Sequence, residues 1–160
     1  MAVDKYELGK QMILLASQYR QMGDALSTNA YEKFEAHAIT KKEFDDIQQN
    51  VTKLFEQAIE INRKVMEIPS GSIDVDLQGI ENATEKLKKA TGRINKIEKI
   101  VNISIKALAA IGASVLAVMT PNPGTIATAV QSAVTLAQEI IDMTSTEKAK
   151  KGKASASRGR

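Results

Sequence analysis

Along most of this chain apolar residues return at alternating steps of four and three, the spacing of one helix face and not of a strand. Leu8, Met12, Leu15, Tyr19, Met22 and Leu26 make the first run, opening after Asp4 as a candidate N-cap. Residues 27–29 interrupt it, and Tyr31 and Phe34 resume the face. Thr40 with Glu43 reads as a capping box for a second run from Phe44 through Ile47, Val51, Leu54, Ala58, Ile61 and Val65 to Ile68. Pro69 and Gly71 end it. A third run holds one register from Ile80, Ala83, Leu87 and Ala90 through Ile94, Ile97, Val101 and Ser104 to Leu108, Ile111, Val115 and Val118. The fourth carries Ile126, Val130, Ala133, Ala137 and Ile140.

These runs predict helices over about 4–37, 40–68, 76–120 and 124–144. The fold class they predict is all-α: an elongated antiparallel four-helix bundle of coiled-coil type over residues 1–146, with 147–160 a flexible basic tail. The third helix, at about 1.5 Å per residue, would be a rod of roughly 65–70 Å. Gly92 and Gly112 lie within it, each weakening it by about 1 kcal/mol relative to Ala.

Residues 107–138, "ALAAIGASVLAVMTPNPGTIATAVQSAVTLAQ", contain no charged side chain. The third helix adds a second stripe beside its seam, formed by Ile100, Ile103, Ala107, Ala110, Ser114 and Ala117. A helix free of charge on more than one face is expected to be covered on more than one face. Pro121-Asn122-Pro123-Gly124 breaks the segment into an antiparallel hairpin. The fourth helix can pair only with about the last 20 residues of the third, so the hairpin tip is expected to extend past the other helices without a cover.

Two readings follow. In one, the hairpin inserts into a membrane, through Ala107, Ala110, Ile111, Ser114, Val115, Val118, Pro121, Pro123, Ile126, Val130 and Val134. Each arm is short for a stand-alone span, so this is not a constitutive transmembrane protein. In the other, the protein is a soluble helical interaction or assembly protein whose hairpin is buried in its own core or in an oligomer interface. Long heptad helices carrying one uncharged, Ala- and Gly-rich hairpin resemble the α-helical pore-forming toxins of the haemolysin E and haemolysin BL type. That resemblance implies a soluble form that hides the hairpin until membrane contact.

Charge sharpens both readings. The net charge is +3, yet residues 147–160 hold six basic residues and one acidic, leaving about −2 for the rest. Lys86, Lys89, Arg93 and Lys96 fall on one face of the predicted third helix, a basic strip able to meet anionic headgroups or, with the tail, nucleic acid. No aromatic residues interleave with it, which disfavours stacking on single strands. The expected partners are therefore an anionic membrane, a second copy or another helical chain, with nucleic acid behind them.

Catalytic chemistry has little to stand on. The chain has no Cys and one histidine, His37, placed at a predicted helix end where capping or exposure explains it. Asp45, Asp46, Asp74 and Asp76 sit where helix polarity and capping account for them. No phosphate loop, nucleophile with a base or cofactor signature is present, so no enzyme, cofactor, metal or small-molecule substrate is expected. Residues 12–16 are too short for the apolar region of a signal peptide, so none is expected.

Overall fold

The structure is a computed structural model that describes residues 2–69 and 71–158, with side chains described through Ser145. It is all-α apart from one two-stranded ladder. Strand β1 (Ala2–Asp4) leads into α1 (Lys5–Glu35), followed by α2 (Lys41–Lys64), strand β2 (Ser72–Asp74), α3 (Leu77–Thr91), α4 (Ile100–Met119) and α5 (Pro123–Arg158). The strands pair antiparallel, with Val3 opposite Ile73. The α5 backbone thus carries the start of the basic arm as helix, while the arm's side chains and Gly159 and Arg160 lie outside the described residues.

Local chemistry sets the helix ends. Asp4 accepts from the Glu7 amide at 2.9 Å, and Thr40 and Glu43 form the reciprocal capping box. At the end of α1, His37 takes φ 59, and the amides of His37 and Ala38 donate to the carbonyls of Phe34 and Lys33. That is a Schellman close, with histidine in the left-handed position usually held by glycine.

The expected third helix is corrected. It divides into α3 and α4, and the chain reverses between them through a 3-10 turn over Ile94–Lys96 and extended backbone at Ile97. Side-chain pairs fix the directions. Gln11 meets Glu81 and Gln18 meets Thr91, so α3 runs parallel to α1. Ser27 meets Gln48, so α2 runs antiparallel to α1. Arg93 reaches Thr144, beside the end of α3, and Lys106 pairs with Glu139 at 2.8 Å, so α5 is parallel to α3 and antiparallel to α4. The result is five helices running up, down, up, down and up, where four were expected. They close a ring in the order α1, α2, α4, α5, α3, with α1 also touching α4 across it. Helices α3 and α4 are about 23 and 30 Å long, so the predicted rod of 65–70 Å does not exist.

The break has a physical reason. Gly92 weakens the helix, and Ile94, Ile97 and Ile100 are three apart, a spacing that a 3-10 turn also places on one side. All three are buried in the reversal.

Candidate functional site

Four of the six exposed positions on α4 are apolar. Ile105, Leu116 and Met119 are 54%, 52% and 57% exposed, and Ala109 lies between them. With half-buried Gly112 they follow steps of four, three, four and three, a complete heptad stripe directed outward. Asn102 and Lys106 are the other two, and Lys106 is held by Glu139. Beside the stripe, α5 presents Thr128, Gln131 and Thr135, uncharged and exposed, and a shallow groove of about 400 Å³ separates the two helices. From Lys106 to the Pro121 turn the outer face of α4 therefore carries no charge.

The residues that the sequence proposed for insertion sit elsewhere. Ala107, Ala110, Ile111, Ser114, Val115, Val118 and Ile126 are buried in the core, Pro121, Val130 and Val134 are half-buried, and Pro123 is exposed. Helix α4 packs against α1, α2 and α5, so the hairpin is an integral wall of the bundle and not an appended head. Its tip is flanked as well. The starts of α3 and α5 and strand β1 line a groove of about 880 Å³ walled by Val3, Val75, Leu77, Ile126 and Val130. The exposed trio of Ile105, Leu116 and Met119 went unread because two stripes had already been assigned to the core. The signal that could have found them is the third face, apolar even after both stripes are removed.

Inside the core, the hydroxyls of Tyr19 on α1 and Ser114 on α4 are buried and lack a well-formed hydrogen bond. Burial pushes the Tyr19 pKa well above its ordinary value of 10.0, a rise opposed in part by the Ser114 hydroxyl. This pair is a neutral polar contact within an apolar interior.

The basic strip survives the helix break. Lys86 and Lys89 are exposed on α3, Arg93 is exposed just past its end, and exposed Lys96 belongs to the 3-10 turn. Among the described residues, none of the four takes part in an ion pair. Arg93 donates to the Thr144 hydroxyl at 3.4 Å. The Lys96 end of the strip and the hairpin tip are therefore at opposite ends of α4, about 30 Å apart.

Among the described residues no group of His, Asp or Glu side chains is placed to hold a metal ion. One further groove, about 410 Å³, opens between α1 and the 3-10 turn after α2, where Tyr6, Ile13 and Met66 surround Gly9 and Val65. No protein-family model, curated protein or solved structure matches the chain.

Proposed function

We propose that the protein is a non-enzymatic helical assembly protein that pairs with a second copy of itself through the apolar outer face of α4 and the adjoining face of α5. The outward heptad stripe of Ile105, Ala109, Gly112, Leu116 and Met119 carries this reading. Apolar residues repeating in that register, on a helix whose one charge, Lys106, is paired with Glu139, are suited to another helix. Gly112 adds to it, since a Cβ built there meets nothing within 4 Å and the bundle itself has no need of the missing side chain. The area is adequate: α4 rises about 30 Å, and two helices side by side present roughly 600 Å². Two such faces reach about 1,200 Å², the lower bound for a specific interface.

Light scattering on a sizing column tests this. Parent protein should exceed its monomer mass of 17.4 kDa as concentration rises, and Ile105→Glu with Leu116→Glu should return it to monomer. A parent that stays monomeric at high concentration overturns the reading.

A second reading has its own observation. Ile100–Met119 has the length and apolarity of a membrane span, with 44% of its apolar window buried in the bundle. In this reading, the one that follows the toxin resemblance, the hairpin leaves the core and inserts. Vesicle binding that persists at high salt, from a protein monomeric in water, would favour it over self-association.

A further inference from the structure

We propose that the end of the bundle formed by the α3–α4 reversal and the upper part of α5 binds the phosphate backbone of duplex nucleic acid. Far apart in sequence, the two most basic segments of the chain meet here. Residues 86–99 hold Lys86, Lys88, Lys89, Arg93, Lys96 and Lys99 against Glu98. Residues 147–160 hold six more cations against Glu147. By sequence the two segments together hold twelve cations against two acids, +10, leaving −7 for the rest of a chain whose total is +3. The contact between Arg93 and Thr144 joins the segments, because α5 enters its basic stretch three residues after Thr144. From Thr144 the helix runs on for about 21 Å to Arg158.

The character of the pole selects its ligand. All six cations of residues 86–99 are exposed, and among the described residues none is ion-paired. Every apolar residue of that stretch, namely Leu87, Ala90, Ile94 and Ile97, is buried. The arm's apolar residues are alanines only. A helix that inserts between headgroups buries large apolar residues there, and residues 86–99 expose none, so an anionic membrane would hold this face by surface charge alone. Stacking on single strands needs aromatic side chains, which are equally lacking. What remains is a set of exposed, unpaired cations on residues 86–99 beside the start of a second basic segment, suited to the regular phosphates of a duplex and indifferent to base sequence.

The test uses the full chain and a fluorescent 25-base-pair DNA duplex, read by anisotropy from 50 to 200 mM salt. If six phosphates are neutralised, affinity should fall about 10³-fold over that range. The variant Lys86→Gln, Lys89→Gln, Lys96→Gln, confirmed as folded by circular dichroism, should flatten the decline by about 40-fold, equivalent to three lost contacts. Lys148→Gln, Lys150→Gln and Lys151→Gln should act in the same direction. Absence of binding at 50 mM salt overturns the proposal. So does a Lys86, Lys89 and Lys96 variant that binds like the parent, because the arm would then act alone. Binding to phosphatidylserine vesicles without binding to duplex overturns it in favour of a membrane surface.

Discussion

Gly23 and Gly112 both stand within long helices, yet the same substitution should act in opposite directions at the two. A Cβ on Gly23 would sit 2.7 Å from the Phe55 ring and 3.2 Å from Leu54, because α1 and α2 approach closely there. Gly23→Ala should lower stability by about 1–2 kcal/mol through overpacking. Gly112 has open space around it, so Gly112→Ala should raise the stability of dilute protein by about 1 kcal/mol, a melting shift of about 2–4 °C. If the same alanine weakens association at high concentration, a close helix approach at this point is supported. Tyr19 supplies a pH dependence. Its hydroxyl titrates at an ordinary 10.0 when unfolded and higher when folded, so above pH 10 the folded state binds the extra proton. Its contribution to stability is complete below pH 10 and is lost above it, at about 1.4 kcal/mol per pH unit until the folded group ionises. Tyr19→Phe should remove that part of the alkaline decline, measured by urea unfolding between pH 9 and 11, and leave neutral stability little changed. A decline as steep in the variant as in the parent would refute this.

At the level of the helices, two neighbouring positions distinguish wall from surface. Val115 faces the core and Leu116 faces solvent. Val115→Lys should unfold or severely destabilise the bundle by leaving an unpaired charge in it. Leu116→Lys should leave helix content and melting temperature within about 0.5 kcal/mol of the parent. Comparable melting losses in both variants would mean that α4 is not oriented as described. The sequence made the seams of α1, α2 and α5 legible because each follows one period: Leu8 to Leu26 are all buried, as are Ile47 to Ile68 except where the seam begins at Phe44. The interruption expected at residues 27–29 is absent, and Tyr31 is exposed and not on the core face. Periodicity failed at Ile94 and Ile97, where a 3-10 turn and a heptad give the same three-residue step. Beyond the break both stripes of α4 line the core: Ile100, Ile103, Ala107, Ala110, Ser114 and Ala117 are buried, as are Ser104, Ile111, Val115 and Val118, and only Val101 and Leu108 are half-buried. A one-dimensional pattern records which residues share a face. It does not record where a chain turns back.

For the molecule as a whole, the ring order makes every helix depend on partners distant in sequence. Helix α1 packs on α2, α3 and α4, and α5 packs on α3 and α4, so neither half of the chain holds a closed core by itself. Urea unfolding followed by circular dichroism and by the fluorescence of its tyrosines should therefore give coincident transitions. Two separated transitions would show that the helices form independent units. The odd number of alternating helices has one more consequence. An even-numbered up-and-down bundle would bring its first and last helices to the same end, whereas five send Ala2 and the end of α5 to opposite ends. Two reporter groups fused at the chain ends would be held apart by at least the length of the bundle. Tandem copies joined directly would extend as a line, because a short linker cannot fold one copy back beside the other.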